Sequence, residues 1–299
     1  MAGIHGRSRR LVLGMSPDTR KIRFGVNLLG SGTGDQFRAQ VQAVADSGAD
    51  VVLVPDHLGL IGPMPALVAA AAQAPELRIG NFVLNAPFYS PALLARDLAT
   101  VDQLSGGRLE IGLGAGYVKA EFDAAGIPFG RPGQRVDHLE EVVDHLHVAF
   151  DDPAQAPPFV QPHPPIMVAG IGDRVLSLAA RKADIVAFSN LPTDDVLADR
   201  VAHVRSEAGE RFDALELNVI VFDLAVGREP DVTALRGANP DLDDAALRGS
   251  VNILHGSAAE VADRINHLNE TAGISYFTFI EPSQKDLDAL AEVIGLVRG

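Results

Sequence analysis

The 299-residue sequence contains no cysteine, and none of its apolar runs approaches the roughly 20 residues that a membrane-spanning helix needs. The first absence excludes disulfide bonds, thiolate metal sites and catalysis by a thiol. The second predicts that the chain has no membrane segment. Residues 11–15 are too short for the apolar core of a signal peptide, despite the arginines that precede them. These absences favour a soluble cytoplasmic protein.

Positive charge is also scarce. The 25 lysines and arginines stand against 39 acidic residues, which gives a formal net charge of −14. A chain of this charge repels nucleic acids and anionic membranes, so we expect neither as a partner. The basic cluster Arg7, Arg9 and Arg10 lies in a leading segment without hydrophobic periodicity. We therefore predict a flexible N-terminal tail over residues 1–20 and a single domain over residues 21–299.

Eight short runs, each nearly all apolar, alternate with Ala- and Leu-rich amphipathic stretches along the rest of the chain. Apolar runs of this length are typical of parallel strands that are covered on both faces. Their bounds are 22–28, 51–54, 78–84, 109–113, 166–169, 185–188, 217–222 and 275–280. Eight strands that alternate with helices predict an α/β fold, a (β/α)8 TIM barrel.

Two connections in this pattern are much longer than the others. The predicted strands that start at residues 109 and 166, and at 217 and 275, are far apart, so we expect insertions after strands 4 and 7. A domain boundary in the proline-rich stretch 153–165 is the alternative. Strand-like runs of the same character continue on both sides of that stretch, which favours one barrel.

Polar residues follow two of the predicted strands. Asp56 and His57 come directly after strand 2, where the catalytic groups of a barrel lie. Histidine titrates near neutral pH and can therefore donate or accept a proton; a loop-capping role is the alternative. Asn85 ends strand 3, and a buried amide needs a partner from the backbone or from a ligand.

Glycines mark two further strand ends. Gly112, Gly114 and Gly116 alternate at the end of strand 4 and precede Tyr117, a spacing that lets a flat or anionic ligand approach the backbone. Glycines that pack at the barrel rim are the alternative. The segment 169–172, Ala-Gly-Ile-Gly, leads into a helix whose first N–H groups can bind phosphate. A plain turn capped by Asp173 explains it equally well.

The acidic helix over residues 137–147 places His138, Glu141 and His145 on roughly one face. Such a face could hold a metal ion, but no further ligand is evident elsewhere in the sequence. A solvated charged face is the better interpretation, and we predict no metal site.

Several stretches together give the sequence a resemblance to a known family. The segments concerned are 102–117 (DQLSGGRLEIGLGAGY), 121–122 (EF), 126–130 (GIPFG), 165–172 (PIMVAGIG) and 183–185 (ADI). In these segments the chain is similar to the bacterial luciferase-like superfamily, and in particular to its branch of oxidoreductases that depend on the deazaflavin coenzyme F420. The resemblance extends from about residue 21 to residue 297 and implies a (β/α)8 barrel with the coenzyme across its C-terminal mouth.

The resemblance also implies roles for individual residues. Asp56 and His57 match the pair near the reactive ring, with His57 as the acid/base. Phe82 and Val83 match a position where the family often has a cis peptide bond. The positions matching those that contact the ring, its side chain or its phosphate are Phe82, Val83, Asn85, Gly114, Ala115, Gly116, Tyr117, Ala169, Gly170, Ile171 and Gly172. For the phosphate, Arg174, Arg181 and Lys182 are candidate cationic partners.

One residue departs from the family pattern. Members that oxidise sugar phosphates have glutamate where this sequence has Tyr117. Tyrosine, with a pKa near 10, is a poorer acid than a carboxyl group, so we expect a substrate other than a sugar phosphate. The insertions 117–164 and 224–256 contain Phe122, Phe129, Phe150 and Phe159, which favours an apolar or aromatic molecule.

The resemblance therefore implies an oxidoreductase that transfers a hydride between F420 and a small organic substrate. An FMN-dependent monooxygenase of the same fold, using reduced flavin and oxygen, is the first alternative. A non-catalytic protein that binds flavin or deazaflavin is the second. The resemblance also implies a homodimer, for which the Ala-rich helix predicted over residues 65–74 permits close packing.

Overall fold

A computed structural model describes residues 20–299. The predicted N-terminal tail therefore lies outside the described residues, apart from Arg20. The strands are β1 Arg23–Asn27, β2 Val51–Val54, β3 Arg78–Asn81, β4 Leu84–Asn85, β5 Leu109–Gly114, β6 Ile166–Gly170, β7 Ile185–Phe188, β8 Glu216–Val221, β9 Asp223–Val226, β10 Ile253–Gly256 and β11 Ile274–Ile280. The helices are α1 Gly34–Asp46, α2 Pro63–Gln73, α3 Pro91–Ser105, α4 Lys119–Ala125, α5 Pro132–Asp151, α6 Asp173–Lys182, α7 Asp194–Ala208, α8 Thr233–Arg236, α9 Asp244–Arg248, α10 Ala258–Ala272 and α11 Gln284–Arg298.

Nine of these strands form one parallel sheet that closes on itself. Its order is β3-β2-β1-β11-β8-β7-β6-β5-β4, and β3 also pairs with β5 to close the ring. The predicted TIM barrel is therefore confirmed. The predicted strand bounds agree with the structure to within one or two residues for seven of the eight strands, because each is a continuous apolar run that is buried on both faces.

The third strand differs from its predicted extent, 78–84. It is interrupted between β3 and β4, at Phe82 and Val83, which are joined by a cis peptide bond as the family resemblance implies. The register against β5 changes across the interruption, from Gly80 opposite Glu110 to Leu84 opposite Leu113. Three residues of the third strand thus face two of β5, which is a β-bulge that no apolar pattern reveals.

Insertions follow β5 and β8, the fourth and seventh strands of the barrel, as predicted. The first contains α4 and, after α5, the proline-rich segment 152–165. The backbone N–H groups of Val160 and Gln161 donate to the fully buried carboxylate of Asp102, which fixes that segment on the barrel. The second insertion contains β9 and β10, a parallel pair outside the barrel that the sequence analysis did not predict.

Two hydrophobic layers hold the barrel together. One lies between the strands and the surrounding helices. The other fills the lumen, and its buried members are Val51, Leu53, Met167, Ile185, Ala187 and Tyr276. Burial of each such side chain stabilises the fold by about 1.5–3 kcal/mol for the larger residues. The lumen is therefore a packed core, and a ligand site has to lie above it, at the strand ends.

The amino-terminal end of the lumen is closed by charged groups. Arg23 and Arg78 each donate to Oε1 of Glu110, at 2.6 Å in both cases, and Arg23 also donates to both carboxylate oxygens of Glu216. Glu110 is only 2% exposed. Tyr276 lies against Arg23, and burial raises the pKa of its hydroxyl well above the usual range. This end of the barrel is thus sealed by ion pairs.

The Ala-rich helix occupies residues 63–73 as α2. Its small side chains Ala66, Ala70 and Ala71 are buried in the outer layer of the same chain's core, so they are used by the barrel itself. The expected homodimer stays a prediction. None of the helices in the described part of the chain has the length and apolar character to cross a membrane.

Candidate active site

The side chains of His57 and Glu121 are hydrogen-bonded to each other at the carboxyl-terminal mouth of the barrel. Nδ1 of His57, three residues beyond the end of β2, lies 2.8 Å from Oε1 of Glu121 in α4. Their side chains are 34% and 15% exposed. An ionised carboxylate only accepts hydrogen bonds, so Nδ1 carries a proton and Nε2 is the nitrogen left for a ligand.

Glu121 was not among the predicted site residues, although it lies in one of the segments that carry the family resemblance. The two residues are 64 positions apart, and only the placement of α4 over the mouth brings them together. Tyrosine at position 117 therefore does not leave this site without a carboxylate. Glu121 supplies a carboxylate from α4.

Tyr117 itself lies beside His57. The two ring centroids are 6.0 Å apart in an edge-to-face arrangement, and the Tyr117 side chain is 77% exposed. A large aromatic side chain this exposed at a cleft presents apolar area that a ligand can cover.

Asp56 connects two strand ends. Its Oδ2 accepts hydrogen bonds from the Asn85 N–H (3.0 Å) and from the Tyr89 hydroxyl (2.9 Å). Burial raises the pKa of the Asp56 carboxyl, against the smaller lowering effect of these two donors. Burial likewise raises the pKa of Tyr89, which keeps its hydroxyl protonated as a donor. Asp56 thus fixes the end of β4 relative to the end of β2.

Asn85 and Gly116 meet at this end of β4. The Asn85 side chain is 7% exposed, and its Oδ1 is buried without a hydrogen-bond partner in the described residues. Gly116 has φ +71°, and a Cβ there would lie 2.3 Å from Asn85 Oδ1. Arg135 donates to the Gly116 carbonyl at 3.1 Å. Glycine is therefore required at position 116, and the unpartnered amide oxygen beside it has capacity to accept from a ligand.

The glycines within β5 have a different role. A Cβ at Gly112 would lie 1.9 Å from the carbonyl oxygen of Asn81, and one at Gly114 would lie 2.8 Å from Cγ2 of Val83. Both positions are thus filled by the bulge of the third strand. Gly112 and Gly114 thus pack against the bulge, as in the rim-packing alternative, while a ligand contact at Gly114 stays a prediction; Ala115, half-buried, follows them towards the mouth.

The segment 169–172 leads into α6, as predicted. A Cβ at Gly170 would lie 2.3 Å from Cγ1 of Val175, whereas one at Gly172 would meet no atom within 4 Å. Gly172 is the N-cap of α6 and provides no side-chain cap. The first N–H groups of α6, after Ile171 and Gly172, therefore remain available for an anion.

The cations around this helix start differ from those predicted. Arg174 donates to the Gly133 carbonyl at 2.9 Å and pairs with Asp137. Arg200, not singled out from the sequence, donates to Asp173 and lies 3.4 Å from the Ile171 carbonyl. Arg181 and Lys182 are in the last turn of α6 and pair with acidic residues there, so they are too far along the helix to serve its N-terminus.

The phenylalanines of the first insertion pack against one another. Phe122 is fully buried, with its ring centroid 5.2 Å from Phe88 and 5.0 Å from Phe129. Phe150 and Phe159 form a separate pair, 5.0 Å apart. The expectation that these residues line a substrate pocket is wrong for Phe122, because its ring has no exposed surface.

Comparisons with known proteins identify the family of this chain. The family model described as luciferase-like monooxygenase matches residues 21–236. The chain therefore belongs to the luciferase-like monooxygenase family.

Two curated relatives match different shares of this chain. The FMNH2-dependent dimethylsulfone monooxygenase of Pseudomonas putida is 29% identical over 182 residues, which are 56% of this chain and 50% of that protein. This chain therefore spans about half the length of that relative. The 5,10-methylenetetrahydromethanopterin reductase of Archaeoglobus fulgidus is 23% identical over 92% of this chain and 98% of its own length.

Solved structures show the same fold. An F420-dependent secondary alcohol dehydrogenase in complex with an F420–acetone adduct superimposes with a TM-score of 0.74 at 18% identity, covering 94% of this chain and 100% of its own. A long-chain alkane monooxygenase superimposes with a TM-score of 0.76 at 16% identity, covering 94% and 92%. At these identities the likeness concerns the fold alone.

Proposed function

We propose that this protein is an F420-dependent oxidoreductase that transfers a hydride between the coenzyme and a small organic substrate, with His57 as the acid/base. The observation that carries the proposal is the His57–Glu121 pair at the barrel mouth. Transfer of a hydride to or from a polar bond requires a matching proton, and Nε2 of His57 is placed to exchange it. Deazaflavin supplies the hydride when bound, and the protein supplies orientation and electrostatics.

The residues at the mouth fit a flavin-like ring with a phosphate. The unpartnered Asn85 Oδ1 can accept from the N–H of a pyrimidine edge. The uncapped start of α6 can hold a phosphate through its N–H groups. We place the coenzyme against Asn85, against the start of α6 and against the remaining predicted contacts. These contacts are Phe82, Val83, Gly114, Ala115, Gly116, Tyr117, Ala169, Gly170, Ile171 and Gly172.

The acidic residues at the mouth have separate roles in this proposal. Glu121 holds the Nδ1 proton of His57 and orients the ring, which also stabilises the protonated imidazole. Asp56 is a positioning residue, because both donors to its carboxylate come from the end of β4 and the turn after it. It keeps Asn85 in place rather than exchanging protons with the substrate.

Two comparisons support F420 over FMN. The relative that aligns with 92% of this chain is named as a methylenetetrahydromethanopterin reductase, and a solved tetrahydromethanopterin reductase that is described as coenzyme F420-dependent shares the fold. A second candidate function is an FMN-dependent monooxygenase. The dimethylsulfone monooxygenase supports it through a higher identity over about half of each chain.

A fluorescence titration with F420 and with FMN tests the assignment. We expect at least tenfold tighter binding of F420, followed by consumption of reduced F420 in the presence of a ketone, an imine or an enone. The His57→Asn variant is the control, since it should bind F420 as the wild type does. Tighter binding of FMN, with oxygen consumption, would favour the monooxygenase. Binding without turnover of any tested compound would favour a non-catalytic carrier.

A further inference from the structure

Asn27, at the carboxyl end of β1, has a side chain without a partner. It is 3% exposed, and its Oδ1 is buried with no hydrogen bond. Its Nδ2 makes no hydrogen bond within residues 20–299 either. Asn252, which is also buried, is by contrast fully paired: its Nδ2 donates to the Ile220 carbonyl and its Oδ1 accepts from the Leu191 N–H, both at 2.7 Å. A buried carboxamide left unpaired destabilises the fold, and a ligand at this end of the barrel can supply the missing partner.

The Asn27 side chain lies on the lumen side of the barrel wall. Side chains two residues apart on a strand point to the same face. A Cβ at Gly25 would contact Tyr276 and Leu53, both members of the lumen core. Asn27 is the next residue on that face and the last of β1, so its carboxamide lies at the top of the packed lumen, where the mouth begins.

The backbone around Asn27 is held from both neighbouring strands. The Asn27 carbonyl accepts from the Glu281 N–H at 2.8 Å, and Leu28 N–H donates to the Leu53 carbonyl at 2.9 Å. The Glu281 carboxylate then accepts from the Leu29 N–H at 2.5 Å. Glu281 adopts φ +39° in doing so. The unpartnered amide is therefore on a rigid element, as a binding group should be.

β1 lies beside β2, the strand that leads to Asp56 and His57. Two adjacent strand ends thus provide a proton donor, His57, and an amide N–H donor, Asn27. This is the donor set that a carbonyl oxygen needs when it gains negative charge.

We propose that Asn27 is a further catalytic residue, and that its Nδ2 donates a hydrogen bond to the carbonyl oxygen of a ketone or aldehyde substrate. The inference rests on the proposed function. In the reduction, a hydride from the reduced deazaflavin bonds to the carbonyl carbon and the C=O π pair moves to the oxygen. Asn27 stabilises that oxygen while His57 gives it a proton, so the product is an alcohol and the coenzyme leaves oxidised.

The test replaces Asn27 with leucine, whose side chain has the same branching and the same number of non-hydrogen atoms but no polar group. With reduced F420 and cyclohexanone, Asn27→Leu should lose 30-fold or more in kcat/KM, with its affinity for F420 within twofold of the wild type. Its thermal midpoint should be equal or higher, because an unpaired buried group has been removed.

The matched control is Asn81→Leu. Asn81 is 1% exposed and both of its amide atoms are unpartnered, but it follows lumen-facing Gly80 and so points to the opposite face of the wall. It should retain kcat/KM within threefold. A second readout uses no turnover: with oxidised F420 bound, cyclohexanone should shift the Asn27 side-chain amide resonance, identified by its loss in Asn27→Leu.

Each outcome is decisive. Wild-type turnover with unchanged kcat/KM in Asn27→Leu, or an unshifted amide resonance at saturating ketone, overturns this inference alone. A loss of F420 affinity as large as the loss of kcat/KM would assign Asn27 to the coenzyme and also overturns it. A wild type that binds no F420, or reduces no carbonyl compound, contradicts the proposed function and this inference with it.

Discussion

Buried polar groups are paired at one end of the barrel lumen and left without partners at the other. At the amino-terminal end, Glu110 and Glu216 are paired with Arg23 and Arg78 through hydrogen bonds of 2.5–2.9 Å. At the carboxyl-terminal end, the carboxamide oxygens of Asn27 and Asn85 have no partners in the described part of the chain.

The difference separates groups that stabilise the fold from groups that are kept for a ligand. A buried polar group that is paired contributes to stability or is neutral, while an unpaired one costs about 1–3 kcal/mol. A chain can carry several unpaired groups only when other regions stabilise it. The ion pairs at the amino-terminal end of the lumen and the two hydrophobic layers stabilise this chain. The unpaired groups at the mouth can therefore be complementary to a ligand.

The largest expected effect is on the closed end. Glu110→Ala should lower the free energy of unfolding by about 3 kcal/mol, because Arg23 and Arg78 lose a buried partner. Urea unfolding measures this loss, and turnover per folded molecule should stay within twofold. Glu229→Ala is the control, since its pair with Arg248 is exposed and long, at 3.8 Å, and should matter by less than about 0.5 kcal/mol. Equal losses of unfolding free energy in both variants would contradict a structural role for the ion pairs at the amino-terminal end of the lumen.

The next effect concerns the mouth. His57→Asn should lower turnover about 100-fold, since general acid–base catalysis contributes at least that much, with F420 affinity within twofold. Glu121→Gln should lower turnover about tenfold, because the amide oxygen can still accept from Nδ1 of His57 but the negative charge that stabilises the protonated imidazole is lost.

Asp123→Asn, on the same helix and paired only with exposed Lys119, is the control for Glu121→Gln and should behave as the wild type. Steady-state assays across pH with reduced F420 decide between these outcomes. If His57→Asn kept full turnover, its acid/base role would be wrong.

A smaller effect distinguishes two glycines before α6. Gly170→Ala should destabilise the fold, because its Cβ would lie 2.3 Å from Val175. Gly172→Ala meets no protein atom within 4 Å, so its thermal midpoint should be unchanged while F420 binding weakens about tenfold. Thermal unfolding and a fluorescence titration measure the two quantities. Wild-type coenzyme affinity in Gly172→Ala would place the phosphate elsewhere.

The smallest effect is a pH dependence at Asp56. Burial raises its pKa in the folded state above the unfolded value of about 3.9. Below that pH both states hold the proton; as the pH rises through the folded pKa, the folded protein has to ionise a buried group and loses stability. Asp56→Asn lacks this loss, so its stability relative to the wild type should rise from pH about 4 to about 7. Urea unfolding at both pH values checks the sign, and a change in the opposite direction would contradict it.

Most of the barrel could be predicted, because parallel strands that are buried on both faces appear in the sequence as continuous apolar runs. The site could be predicted only where its residues follow a strand directly, as Asp56, His57 and Asn85 do. Glu121 was missed because its partner is 64 residues away. The alternating glycines were also visible in the sequence, but only the structure shows that Gly112 and Gly114 make room for the bulge at Asn81 and Val83.

The sequence alone determined the eight-stranded α/β architecture, the two insertions, and the strand ends that carry polar residues, because these depend on local periodicity and on neighbouring residues. The tertiary structure alone decided which polar groups are paired. Hydrogen bonds within the lumen join residues from strands that are distant in the chain, and no local pattern records whether a buried carboxylate meets an arginine or a buried amide meets nothing.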